Sequence, residues 1–189
     1  MNDNTLIAEI EGYASVFHAR DLNGDIVAPG AFKASLARRD APVRMLYQHA
    51  AETPIGRWTS FAEDQYGLFV TGELILSSAR AREVHALLKG GALDGLSIGY
   101  QAVKARKDKG AGRRIIEASL WEVSIVTFPM ATAARITHVG APHPEKSAHD
   151  SAQTKIGLRV QPGRASVSSP SADVRHFADA LRGATSLLV

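Results

Sequence analysis

Two stretches in the middle of the chain, LSIGYQAVKARKD (residues 96–108) and RRIIEASLWEVSIVTF (113–128), restrict the fold more than any other feature of the sequence. Both favour strands, and the charged, glycine-containing segment KDKGAGRR between them reads as their turn. The best helix in the chain precedes them. SARAREVHALLKGG (78–91) has serines at its start, Val84, Leu87 and Leu88 along one side, and Gly90 at its stop. Earlier still, LIAEIEGYASVF reads as strands around a break at Gly12. LNGDIVAPGAF carries turn chemistry, AFKASLARR is a short helix, and VRMLYQH is a compact β-rich run. GRWTSFAEDQYGLFVTGELIL reads as two strands joined by a turn around Asp64–Gly67. The order is strand-rich, helix, strand-rich, without the βαβ alternation of a doubly wound sheet. This predicts an α+β, mainly β domain: a mostly antiparallel β-barrel or sandwich with two or three helices.

The pattern changes near residue 138. Of the twelve aromatic residues only Phe177 lies at or beyond it, together with seven serines and four of the seven histidines. Residues 1–137 are therefore expected to form the domain, and 138–172 a flexible linker. In 173–189, Val174, Phe177, Ala178 and Leu181 have helical spacing behind Asp173, which predicts a short terminal helix or a frayed tail.

Composition removes several functions. The chain of 189 residues has no cysteine, so thiolate catalysis, disulfides and cysteine-based zinc sites are out, and a reducing cytoplasm fits. No apolar run approaches the roughly 18 residues of a membrane span, and the acidic start MNDNTLIAEIEGYASVF is no secretory signal. A net charge of +3, without a long basic run, argues against nucleic acid as a partner. No cofactor or metal is expected.

GLSIGY (95–100) contains G-x-S-x-G, the pattern of a nucleophile elbow. An elbow needs a helix directly after its serine, and here IGYQAVKA favours a strand. In the hydrolase fold with that elbow, acid and histidine follow the serine. Every histidine after Ser97 lies at 138 or later. The α/β-hydrolase fold is thus excluded, whereas Ser97 itself stays a candidate nucleophile that needs a neighbouring base. His18 reads as a turn residue and His85 as a helix-surface or half-buried one. His49 ends VRMLYQH, where a strand either delivers a side chain to a pocket edge or simply ends on a satisfied polar residue. A third residue should accept a hydrogen bond from the imidazole. Glu122 lies in the apolar run LWEVSIVTF, where carboxylates are rarely without a partner, and alternation puts it on one face with Leu120 and Ser124. Glu117 competes for the role.

Four blocks, GYASVF…D…GDIVAPGAF, MLYQH…TPIGRW, ALLKGGALDGLSIGY and LWEVSIVTFPM…AAR, occur in order across residues 10–137. In these the chain resembles the tailed-phage prohead (capsid maturation) serine proteases, a family similar in fold to the herpesvirus assemblins, whose β-barrel is flanked by helices. The resemblance implies a serine endopeptidase acting as a homodimer inside the immature capsid, in the host cytoplasm. Its substrate would be the scaffold segment of the major capsid protein, and often the protease itself. It also implies that Ser97 is the nucleophile, His49 the base and Glu122 the acid, in an order unlike the three familiar orders of serine hydrolases. Many members carry an aspartate directly after the histidine, where this chain has Ala50. The oxyanion donors stay open, with Gly90–Gly91 and KGAGRR as candidate segments. The alternative from a different class is an inactive capsid-assembly scaffold protein of the same fold.

Overall fold

A computed structural model describes residues 5–38, 42–108 and 112–145. Its elements, in chain order, are β1 (Leu6–Val16), β2 (Ile26–Val27), α1 (Lys33–Ala37), β3 (Arg44–Tyr47), β4 (Ala50–Glu63), β5 (Gly67–Ile75), α2 (Ala79–Lys89), β6 (Gly95–Lys107), β7 (Arg113–Val126), β8 (Ile136–Val139) and β9 (His143–Pro144). Every strand belongs to one sheet. Its path is β2–β7–β3–β4–β5–β1–β8, with β6 on the other edge of β7 and β9 on β1. Most pairings are antiparallel, but β7 runs parallel to both β2 and β3.

The long β4–β5 hairpin follows from its turn. Asp64 Oδ1 accepts the amides of Tyr66 and Gly67 at 2.7 and 2.8 Å, the side-chain-to-backbone bonding that favours aspartate in turns. Alternation then buries Leu68, Val70 and Leu74 on one face of β5. In α2, Ser78 caps the first turn through the Ala81 amide, and Gly91, at φ +72°, follows its end. The helix buries Ala81, Val84 and Leu88. Leu87, expected on the apolar side, is 41% exposed at the flank of that stripe. β1 continues through Gly12 as one strand, with a register shift against β8 there. A Cβ at Gly12 would collide with the Arg135 carbonyl, which is why a residue without a side chain occupies the close approach.

β7 is the spine of the molecule. Along one edge, β2 pairs with Arg114 and Ile115, and β3 pairs with Glu122–Ile125. Between them, the Ala118 amide donates to Ala31 O at 2.9 Å and the Leu120 amide to Ser35 Oγ at 2.8 Å. Both of these donors, between the two ladders, are thereby satisfied. Glu63, at the end of β4, accepts the Gly30 and Phe32 amides at 2.9 Å each and fixes the start of α1. Phe32, Met45, Leu68, Leu74, Ile115 and Ile125 are all less than 2% exposed in the core, each contributing roughly 1.5–3 kcal/mol by burial.

The sheet curls towards a barrel but is not closed by a full ladder. Residues 134–136 stitch the gap between β1 and β6. Leu96 N–H donates to Ala134 O, Tyr13 N–H to Arg135 O and Ile136 N–H to Asp94 O, at 2.8–3.1 Å. The sheet also runs past residue 137, where the composition predicts its end, as far as Pro144. The expected linker beyond Glu145 and the terminal helix at 173–189 lie outside the described residues.

Candidate active site

β3 ends at Tyr47 and β4 begins at Ala50, its partner in the ladder. The connection is therefore the two residues Gln48 and His49. Both have positive φ, +54° and +59°, the backbone of a type I′ hairpin turn, which normally carries asparagine or glycine. A side chain in this region costs about 1–2 kcal/mol per residue. β7 supplies the compensation. Gln48 N–H donates to Ile125 O at 3.0 Å, and the Gln48 amide group exchanges hydrogen bonds with Thr127 Oγ1 and N–H at 2.7 and 3.3 Å. His49 N–H donates to Ser124 Oγ at 3.1 Å. Ala50 opens β4 without adding a carboxylate at this point.

The turn aims the His49 ring at Glu122. Nδ1 meets Glu122 Oε1 at 2.6 Å. The carboxylate is fully buried, and the ring is 28% exposed. A buried ionised carboxylate demands partners, and Oε2 has one in the Ser124 hydroxyl at 2.6 Å. Because a carboxylate only accepts, Nδ1 carries the proton, which leaves Nε2 of the neutral ring as the basic nitrogen, on the far side from this bond.

Ser97 lies on β6, 4% exposed, directly opposite Ser124 on β7, and Gly99 lies opposite Glu122. Directly opposed residues share a face, so Ser97, Gly99, Ser124 and Glu122 form one patch. A Cβ at Gly99 would overlap the Glu122 carboxylate. The second glycine of GLSIGY thus makes room for a carboxylate on the next strand, a different role from that in an elbow turn. Just beyond, the register shifts between Gly99 and Tyr100, an irregularity of the kind that re-aims side chains.

The three residues singled out by the sequence therefore gather within neighbouring strands. His49 and Glu122 touch. Ser97 joins them by way of the Ser124 position, and among the described residues no hydrogen bond links its hydroxyl to the ring. Glu117 pairs with Lys104 further along β7 and does not reach His49. His18 sits at φ +62° in an exposed turn. His85 Nε2 lies 3.0 Å from Gly140 O, tying α2 to the segment after β8. Gly90 and Gly91 end α2, and residues 109–111 of KGAGRR fall outside the described residues. Ser124 and the Gln48–Thr127 clamp escaped sequence reasoning. The signal for Ser124 was its place two residues from Glu122 on the same strand face. Among the described residues, no three histidine, aspartate or glutamate side chains gather as a metal site.

Residues 1–148 match the family described as Caudovirus prohead serine protease. The chain is 40% identical over 129 residues to the prohead protease of Enterobacteria phage HK97, covering 67% of this chain and 57% of that protein. It is 30% identical over 164 residues to the capsid polyprotein of Pseudomonas phage PAJU2, covering 83% of this chain and 24% of that one. These matches span less than two thirds of the length of either relative. In fold the chain is similar to the crystal structure of KSHV protease in complex with a hexapeptide phosphonate inhibitor. The TM-score is 0.50 at 15% identity, over 71% of this chain and 65% of that one.

Proposed function

This chain belongs to the caudovirus prohead serine protease family, and from that premise we propose that it is a serine endopeptidase of capsid maturation with Ser97, His49 and Glu122 as its catalytic residues. The observation that carries the reading is the 2.6 Å contact between His49 Nδ1 and a fully buried Glu122, one strand away from Ser97. In the proposed reaction His49 Nε2 takes the Ser97 proton as Oγ attacks the scissile carbonyl. The imidazolium then gives that proton to the leaving amine, and water hydrolyses the acyl-enzyme by the same route. Glu122 holds the ring tautomer and stabilises its charged form. The missing Ser97–His49 hydrogen bond is compatible with this, because such bonds are often long in empty sites and tighten with substrate.

The proposed substrate is the major capsid protein or its scaffold segment, together with the protease's own chain. The site of action is the immature capsid in the host cytoplasm, and the working form is a homodimer. That the PAJU2 relative is a capsid polyprotein supports the capsid assignment, since a segment similar to this chain there shares a polypeptide with capsid sequence.

The test is co-expression of the full chain with the capsid precursor, read by intact mass. Wild type should cut the precursor, and Ser97→Ala should leave it whole while keeping the fold. Full processing by Ser97→Ala would remove Ser97 from the mechanism. A wild-type chain that binds the precursor without cutting it would instead identify an assembly scaffold.

A further inference from the structure

The Ser124 side chain takes no part in the proposed chemistry, yet its hydroxyl stands between the two groups that this chemistry needs held. It is fully buried in a run with buried Val123, Ile125 and Val126, where a β-branched apolar residue would be the ordinary choice. Burying a hydroxyl there is unfavourable unless its bonds are made. Two hydrogen bonds satisfy it, and both go to site residues. The O–H donates to Glu122 Oε2 at 2.6 Å. The oxygen accepts the His49 amide at 3.1 Å. Neither direction can reverse, since an amide only donates and an ionised carboxylate only accepts.

We infer that Ser124 is a positioning residue: one hydroxyl locks the Glu122 carboxylate and the left-handed backbone of His49 into a single geometry. With Oε2 held by Ser124, Oε1 is left to the imidazole. With the His49 amide held by the same oxygen, the backbone that carries the ring is fixed against the strand that carries the carboxylate. The inference rests on the Ser97–His49–Glu122 reading for its catalytic consequence, but the hold itself is a property of the fold.

Threonine and valine have the same shape and differ at this position only in the hydroxyl, so the pair Ser124→Thr and Ser124→Val isolates it. The probe is a fluorophosphonate, for which Ser97 Oγ bonds to phosphorus, fluoride leaves and the proton passes to His49. Its labelling of the full chain gives a maximal rate and a half-saturating concentration. Ser124→Thr should stay within about threefold of wild type. Ser124→Val should lose about tenfold or more in maximal rate, with half-saturation and melting temperature near those of the threonine variant. Equal rates for the two would overturn the inference. So would a valine variant that unfolds where threonine folds, because the hydroxyl would then serve the fold alone. Should neither fold, Ser124→Ala against wild type carries the same comparison without added bulk.

A second readout is independent of turnover. In a Ser97→Ala background, the downfield proton resonance of His49 Nδ1–H, assigned by its loss in Glu122→Gln, should shift or broaden when the Ser124 hydroxyl is removed. An unchanged resonance would overturn the inference even if no variant is ever labelled. Absence of label at Ser97 in wild type, with the resonance still dependent on Ser124, would sink the serine reading and leave the positioning role standing.

Discussion

Glu122 is a charge in the core, and its surroundings predict what substitutions there do. Glu122→Gln keeps the shape but loses the negative charge, so the ring is no longer held as a donor to an anion. Cleavage of the capsid precursor should fall by roughly 10²–10⁴. A loss below about tenfold would deny Glu122 its role. Gly99→Ala tests the same carboxylate from the facing strand. The added methyl must displace Glu122 or spread β6 from β7, at about 1–3 kcal/mol of stability, and His49 loses its aligned partner. Cleavage should therefore drop at least tenfold even where thermal melting shows a folded protein. Ser97, His49 and Glu122 were all legible as candidates, the serine from its glycine pattern, the histidine from its strand end, the glutamate from its apolar run, and their roles from the family resemblance. Ser124 was not, because its place beside Glu122 on one strand face gains meaning only once the partners across the fold are known. The two roles of Gly99 and of the Gln48–His49 turn were hidden for the same reason. Positive φ at two residues with side chains contradicts local preference, and only bonds from β7, some 75 residues away in sequence, make it affordable.

The strands themselves were written in the alternation and turn residues, and the β4–β5 and β6–β7 hairpins follow from sequence alone. The parallel pairing of β7 with β3 does not, since nothing local marks which distant strand fills an edge. Ser35 shows how closely that edge is accounted for. Its hydroxyl takes the Leu120 amide between the β2 and β3 pairings, and Leu120 is buried. Ser35→Ala should strand this donor and lower unfolding stability by about 1–3 kcal/mol, read as a fall in denaturant midpoint. Unchanged stability would mean that the edge has another acceptor. Tyr100 reports on the same region from β6. Burial first, then the carboxylates of Asp25 and Asp21, pushes its phenol up to about 12 from 10.0, against the opposing Arg113. A folded-state value above the unfolded one means that folding favours the neutral phenol. This contribution is intact below pH 10 and is lost as pH rises towards about 12. Denaturant titrations at pH 9 and 11.5 should show a larger stability loss for wild type than for Tyr100→Phe. Equal losses would place the titrating phenol elsewhere.

The end of the described chain is tied back to its beginning. Glu145 N–H donates to Thr5 O at 2.8 Å, and Arg57 Nη2 reaches Glu145 at 2.5 Å and Glu73 at 2.6 Å. A chain ending at Glu145 should therefore melt within a few degrees of full length. One ending at residue 137 loses half of β8, all of β9 and the Glu145 contacts. It should melt markedly lower, at about 2–8 °C for each kcal/mol lost. Similar melting of the two truncations would return the domain boundary to residue 137, where the drop in aromatic content suggested it. The pairing of His49 with a residue 73 positions later has one more consequence. A ribosome that has released only the first hundred residues has delivered the imidazole and the alcohol, but not the carboxylate that orients the imidazole. The proposed triad is therefore incomplete in any nascent chain that has not yet reached its seventh strand.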